Sequence, residues 1–273
     1  MTAPATSTAD RERAAMLHVE LARHPDRPRS RQVIAGAFSE WTELHGDRLF
    51  GDDRAVLGGP ARIGERWVMV IGQEKGSDAM GRALHNFGMA HPEGFRKAKR
   101  LMLQAEKFGM PVVCLVDTPA AHAGVAAEER GQAWAIADSL ITMLELRVPI
   151  VSVVLSEGGS GGALALAVAD RILALENAIY TVAPPETCAA ILYHDTSQRP
   201  RAAAALKPGV ETAHQLGLVD ELIPEPAPGA HEYPSVVVSA LGGAIGRHLR
   251  EITGIPVDEL VFRRQTRYRL AGG

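Results

Sequence analysis

The chain has 273 residues, with 29 Lys and Arg against 32 Asp and Glu, and its formal charge of −3 leaves no basic field for gripping nucleic acid or an anionic membrane. Hydrophobic residues make up 46% and charged residues 22%, which excludes a mainly disordered chain and leaves enough apolar side chain for a full α/β core. Aromatics reach only 5% while Gly numbers 27, a composition suited to closely packed helix-on-sheet layers rather than an aromatic-rich β-sandwich.

Residues 1–12 read as a disordered leader, and Met1 to Asp10 carries no apolar signal segment. Helical spacing begins at Arg13 and runs to Ala22, ending at the turn-forming His24-Pro25-Asp26-Arg27-Pro28. Ser30 is placed to cap a second helix, from about Arg31 to Leu44, with Val33, Ile34, Ala37, Phe38, Trp41 and Leu44 on one stripe. A loop from His45 to Asp53 follows, so residues 13–53 form an N-terminal helical segment.

Residues 54–223 read as the core. Short β-rich runs, Ala55 to Leu57, Gly59 to Ile63 and Arg66 to Gly72, predict a hairpin feeding a buried strand. Helix Glu93 to Phe108 is then followed by strand Pro111 to Val116, helix Glu128 to Leu146 by strand Pro149 to Leu155, and helix Gly161 to Ala169 by strand Arg171 to Leu175. A strand from Ala178 to Ala183 runs into helix Pro185 to Tyr193, and a helix from Glu211 to Leu216 precedes a short segment, Leu218 to Ile223. Such alternation predicts a largely parallel sheet covered by helices. Residues 224–273 form a Pro/Gly-rich linker and two helices, in which Arg263, Arg264, Arg267 and Arg269 read as a solvated face or a subunit contact. No stretch approaches the roughly 20 apolar residues of a membrane span. Cys114 and Cys188, far apart in apolar runs, are expected to be buried, reduced thiols of a cytoplasmic protein.

Two strand ends concentrate unusual backbone. The first continues as Asp117-Thr118-Pro119-Ala120-Ala121-His122-Ala123-Gly124, the second as Glu157-Gly158-Gly159-Ser160-Gly161-Gly162 before an Ala/Leu helix. Ligands of open α/β sheets gather at such carboxyl ends. In the second segment glycines remove the Cβ barrier to close approach, and the following helix leaves its first N–H groups unpaired for an anion or a developing oxyanion. The Lys-Ser/Thr ending of a phosphate-binding P-loop is absent, and Gly159-Ser160-Gly161 does not make a G-x-S-x-G nucleophile elbow. Among side chains, Glu157 and Glu129 are candidate acid/base groups, although a carboxylate bonded to loop N–H groups, or one favouring a helix dipole, has the same pattern. His122 is a candidate substrate contact, and Ser160 lacks a readable His and acid to make it a nucleophile.

Read together, the segments Leu21-Ala22-Arg23-His24-Pro25, Thr42-Glu43-Leu44-His45-Gly46-Asp47-Arg48, Asn86-Phe87-Gly88-Met89, Pro92-Glu93-Gly94, Asp117-Thr118-Pro119, Glu128-Glu129-Arg130-Gly131-Gln132 and Glu157-Gly158-Gly159-Ser160-Gly161-Gly162-Ala163-Leu164 are recognisable. Cys188-Ala189, Ile191-Leu192, Ile223-Pro224-Glu225-Pro226 and Gly229-Ala230-His231 extend the match in one register from about residue 15. The chain resembles the carboxyltransferase α subunits of bacterial acetyl-CoA carboxylase.

That resemblance implies a crotonase-like (ClpP/crotonase) α/β fold, a spiral of ββα units with flanking N- and C-terminal helices. It implies carboxyl transfer from carboxybiotin, borne on a biotin carboxyl carrier protein, to acetyl-CoA, giving malonyl-CoA for fatty acid biosynthesis. The partners implied are a β subunit with a zinc ribbon, which binds the CoA thioester, and a biotin carboxylase component, in an assembly of two α and two β chains, with no metal in this chain. By the same resemblance Gly161 and Gly162 supply oxyanion N–H groups, while Gly158, Gly159, Ser160, Ala120, Ala121, His122 and Gly124 line the carboxybiotin side.

The family's Asp-Thr-Pro-Gly-Ala-Tyr-Pro-Gly is replaced by Asp117 to Gly124 of this chain, so Ala120 would be strained if its position needs φ > 0. Pro184-Pro185-Glu186-Thr187-Cys188 and Ser77-Asp78-Ala79-Met80-Gly81 depart as well. These departures set up an alternative, a paralogue with an altered acyl substrate, carboxyl donor or partner. A stand-alone crotonase-type decarboxylase or hydratase using Glu157 or Glu129, and a non-catalytic partner, are the competing classes.

Overall fold

In the computed structural model, which describes residues 7–271, α1 spans Thr8–Ala22. It starts before Arg13 because Ser7 and Asp10 cap one another: Asp10 N–H donates to Ser7 Oγ at 3.1 Å and Ser7 N–H to Asp10 Oδ2 at 3.3 Å. The disordered-leader reading is therefore corrected for residues 8–12; residues 1–6 lie outside the described residues.

The second helix, α2 (Ser30–Ala37), is shorter than its apolar stripe suggests. Phe38 turns extended, Ser39 and Arg62 exchange backbone bonds at 2.9 and 2.7 Å, and Thr42 and Leu44 N–H donate to Pro60 and Gly58. The edge of the sheet has captured residues 39–44, so Trp41 and Leu44 reach the core from an extended segment. Ser30 opens the helix rather than capping it, its Oγ donating to the Gln73 carbonyl at 2.6 Å.

The hairpin forms as its sequence predicts. β1 (Val56–Ile63) pairs antiparallel with β2 (Arg66–Gln73), and Gly64 takes the left-handed turn at φ +56. After α3 (Ala79–Leu84) and α4 (Pro92–Lys107), β3 (Val112–Thr118) adds parallel to β2. The single helix expected from Glu128 to Leu146 is two, α5 (Val125–Glu129) and α6 (Gln132–Glu145), because Gly131 turns left-handed at φ +79 between them.

Strand β4 (Ile150–Gly159) is buried along its whole length and runs into α7 (Ser160–Ala167). Parallel strands β5 (Arg171–Leu175), β6 (Ile179–Thr181) and, after α8 (Pro185–Tyr193), α9 (Arg199–Leu206) and α10 (Val210–Gln215), β7 (Glu221–Ile223) complete the sheet. Its order is β1-β2-β3-β4-β5-β7, with β6 pairing the far end of β4 beyond β5. Helices α11 (Pro234–Thr253) and α12 (Val257–Leu270) close the chain.

The Arg-rich face of α12 is not simply solvated. Arg264 is 1% exposed and pairs with Asp170 at 2.7 Å, and Arg267 reaches Asp220 at 2.7 Å, so the cluster pins α12 to the sheet. Both cysteines are buried and free, and burial pushes the Cys114 thiol up to about 12. Among the described residues no helix is long and apolar enough to cross a membrane.

Candidate functional site

At the carboxyl ends of β3 and β4 the two backbones come into contact. The register shifts between Val116 and Thr118: Leu155, Ser156 and Glu157 of β4 stand opposite Asp117 alone, so the extra residues lie on β4 and Thr118 faces Gly158. A Cβ on Gly159 would sit 1.8 Å from the Pro119 carbonyl oxygen, and one on Gly162 would lie 2.5 Å from Ala121 N and 2.7 Å from Ala120 C. These two glycines are dictated by backbone packing against the Pro119 to Ala121 segment. Gly161 differs, since a Cβ there would meet only Ile136 at 3.5 Å, an ordinary contact.

Ser160, the first residue of α7, has φ +54. A non-glycine residue held left-handed stores strain, and here it turns the strand sharply into the helix. The N–H groups of Ser160, Gly161 and Gly162 open α7 without partners inside the helix, at its positive dipole end. The strain foreseen for Ala120 is absent: its φ is not positive, and a Thr118 turn holds it, with Ala120 N–H donating to Thr118 Oγ1 at 3.2 Å. Gln73, fully buried at the end of β2, ties both loops together. Its Nε2 donates to the Gly162 carbonyl at 2.7 Å and its Oε1 accepts from Asp117 N–H at 3.1 Å.

Next to this contact runs a chain of charges, of which Asp117 and Glu157 are buried and Lys75, Arg23 and Glu186 half-buried. Lys75 Nζ is 2.7 Å from both Asp117 Oδ1 and Glu157 Oε2, and Arg23 Nε is 2.8 Å from Glu157 Oε1 while its NH1 reaches Glu186 at 2.9 Å. Burial alone would raise the Glu157 carboxyl, but Lys75 and Arg23 outweigh it and hold the group below its ordinary range. Burial likewise disfavours the Lys75 ammonium, and Asp117 and Glu157 reverse that and keep it charged. Burial pushes Asp117 up against the pull of Lys75. An open cleft of about 200 Å3 borders the network, with Arg29, Arg82 and Phe87 on its walls.

The sequence-derived candidates are thus dispersed in role. Gly158, Gly159, Ser160, Gly161, Gly162, Ala120 and Ala121 come together. Glu157 adjoins them with both oxygens engaged by cations, which fits an ionised anchor rather than a proton shuttle. Glu129 is exposed on α5, and among the described residues it has neither an ion pair nor a side-chain hydrogen bond. His122 is half-buried beside the loop, 2.9 Å from Asn86 Nδ2 and stacked on His91 with ring centroids 4.2 Å apart. Gly124 is extended at φ 177 and has no conformational need for glycine. Sequence reasoning missed Gln73, Lys75, Arg23 and Asn86 as site residues. The usable signal was Gln73-Glu74-Lys75 ending a buried apolar strand, where polar groups must find partners.

The sheet, parallel apart from the antiparallel β1, with a glycine-rich end of β4 feeding α7, takes the crotonase-type fold of solved carboxyltransferases. The chain aligns with transcarboxylase 12S at a TM-score of 0.67 and 20% identity, covering 91% of this chain and 45% of that one, less than half its length. It aligns with a chain of a Pseudomonas malonate decarboxylase hetero-tetramer at a TM-score of 0.66 and 19% identity, covering 85% and 90%.

Sequence is more specific. Residues 8–272 match the family described as acetyl co-enzyme A carboxylase carboxyltransferase-like, and the chain belongs to that family. It is 50% identical over 253 residues to the acetyl-coenzyme A carboxylase carboxyl transferase subunit alpha of Sphingopyxis alaskensis, covering 93% of this chain and 80% of that protein. The subunit of the same name from Deinococcus radiodurans is 49% identical over 269 residues, with 97% and 85% covered.

Proposed function

We infer that this chain is the α subunit of an acetyl-CoA carboxyltransferase and forms the carboxybiotin side of a site shared with a β subunit. In this reading the substrates are carboxybiotin on a carrier protein and acetyl-CoA, the product is malonyl-CoA, and a biotin carboxylase component recharges the carrier. The partner chain supplies the zinc ribbon and the CoA site, in a cytoplasmic assembly of two α and two β chains.

The observation that carries the reading is the open first turn of α7. Carboxyl transfer builds negative charge on the ureido oxygen of the donor, and Gly161 and Gly162 stand in the first turn of α7, whose N–H groups have no partner within the helix and suit such an oxygen. A preorganised donor of this kind is worth about 3 kcal/mol in the transition state. Gln73 fixes the turn by holding the Gly162 carbonyl, and the strained Ser160 sets its direction. Gly159 and Gly162 let the Pro119 to Ala121 loop lie against it, and the Lys75–Glu157–Arg23 network holds that loop in place. No side-chain base is assigned, since released biotin can take the acetyl proton. The ion-paired Glu157 and the exposed Glu129 lend no support to a stand-alone hydratase or decarboxylase.

The test is reconstitution. The chain, its cognate β subunit, carboxybiotin and acetyl-CoA should together yield malonyl-CoA, and neither subunit alone should do so. Absence of turnover with the cognate β chain would overturn the reading.

A further inference from the structure

His122 is bound in a way that none of the preceding assignments uses. The Asn86 amide nitrogen donates to the Met89 carbonyl, an acceptor that only the NH2 side of the amide can satisfy. The same nitrogen lies 2.9 Å from His122 Nδ1, so that ring nitrogen faces a donor and must accept. The imidazole proton is thereby placed on Nε2. Nε2 has no protein partner among the described residues, is not sealed from solvent, and lies 3.1 Å from where a Cβ on Gly124 would stand. Main-chain bonds hold the residue itself: His122 N–H donates to the Ala90 carbonyl at 3.0 Å, and the buried Gln132 donates to the His122 carbonyl at 2.9 Å. The preceding residue, Ala121, is the one packed against Gly162.

We propose that His122 is a ligand-contacting residue of this site: Asn86, a positioning residue, holds its proton on Nε2, and that open N–H, on the loop whose Ala121 packs against Gly162 of α7, donates to the carboxylate being transferred. The proposal rests on the carboxyltransferase reading. Protonating Nδ1 as well would set two donors face to face and break the Asn86 bond. Asn86 sits in a turn that holds two successive non-glycine residues left-handed, Asn86 at φ +48 and Phe87 at φ +56, followed by Gly88, which packs on the Asp117 carbonyl. A charged His122 therefore loosens the turn supporting the site. Burial disfavours its charged form, and the stacked His91 and nearby Arg130 add to that, against the opposing pull of Asp53 and Glu93.

The test uses the assembled α and β subunits. In His122→Phe, which keeps a flat ring against His91, kcat/KM for carboxybiotin should fall about ten- to hundredfold, the span of a hydrogen bond to a charged group. His122→Gln, which restores an N–H donor, should recover most of it. The wild-type acid limb of kcat/KM, lying below the ordinary imidazole range, should vanish in His122→Phe. Nitrogen-15 spectra of the histidine ring should report a proton on Nε2, reversed by Asn86→Asp, and the Nε2 resonance should shift on adding malonyl-CoA. A proton on Nδ1, an Nε2 resonance indifferent to malonyl-CoA, or wild-type kinetics in His122→Phe each overturns the proposal. Lack of turnover in the wild-type complex strikes instead at the carboxyltransferase reading, and the Nε2 resonance still decides the role of His122.

Discussion

At its amino end β4 is tied to α12 by Arg264, whose guanidinium bonds Asp170 at 2.9 and 2.7 Å and the carbonyls of Met143, Leu146 and Val148 at 2.7 to 3.0 Å. Asp170 in turn accepts Ile150 N–H at 2.7 Å. At its carboxyl end the same strand meets Lys75, Arg23 and Asp117 through Glu157, and then delivers unpaired N–H groups into the first turn of α7. Both ends bury charge. At the amino end the Arg264 guanidinium is closed on acceptors of its own chain through Nε, NH1 and NH2. The carboxyl end spends its ions on fixing two loops and leaves main-chain donors free. Satisfied buried ions mark anchorage, and free donors beside satisfied ions mark the site.

The contrast is broken most severely at Gly162. Gly162→Val forces a side chain into the Ala120–Ala121 peptide, where even a Cβ has only 2.5 Å, so the loop must separate from α7. Loss of an aimed donor costs about a hundredfold or more in kcat, and malonyl-CoA formation by the reconstituted complex should fall by at least that. Gly161→Ala is the control, with space for its methyl group and an unchanged N–H, and should stay within a few-fold of wild type. Equal losses in both variants would remove the distinction between a packing glycine and an open one.

At the other end, Arg264→Met leaves Asp170 buried without its cation, a change that typically costs about 3–5 kcal/mol. For a chain of this size that lowers the melting temperature by about 10 °C, while malonyl-CoA formation by the folded fraction at 25 °C should persist. A variant that melted normally but lost activity would place function at the wrong end of β4.

The fold was legible from Val, Ile and Leu runs alternating with amphipathic helices, because periodicity reports burial. It failed where tertiary contacts overrode local pattern. Residues 39–44 have helical spacing but are held by Pro60 and Gly58 backbone, and the Glu128 to Leu146 periodicity runs through the left-handed Gly131. At the site, glycines were legible as small residues, but which of them packs against backbone depends on a neighbour some forty positions away. The sequence points to strain at Ala120, whereas Ser160 bears the positive φ, since a serine's sequence context does not reveal the turn it occupies. Gln73 and Lys75 act through partners on β3 and β4 that topology alone brings near.

A smaller effect separates anchorage from acid/base work. Glu157→Gln keeps the shape but weakens two charge-assisted bonds, from Lys75 and Arg23, at a cost of about 2 kcal/mol near neutrality. The folded carboxyl lies below its ordinary value of about 4.3, so its contribution is present above that pH and disappears as pH falls through the folded value. The melting difference between wild type and Glu157→Gln should accordingly be largest near pH 7 and close under acid. Its kcat should drop less than tenfold, whereas loss of a general base costs about a hundredfold or more.

The smallest effect is expected at Glu129. Exposed, and without an ion pair or side-chain hydrogen bond among the described residues, it has no bond to lose on truncation. Glu129→Ala should change stability by less than about 0.5 kcal/mol and leave the pH profile of malonyl-CoA formation in place. Its near neighbour Arg130 is engaged, bonding Glu93 at 3.0 Å and lying over the Phe50 ring, so Arg130→Ala supplies the contrast within the same turn. If Glu129→Ala abolished turnover while the assembled complex remained intact, a carboxylate outside the glycine-rich contact would be doing chemistry, and the free N–H groups of α7 would no longer suffice to define the site.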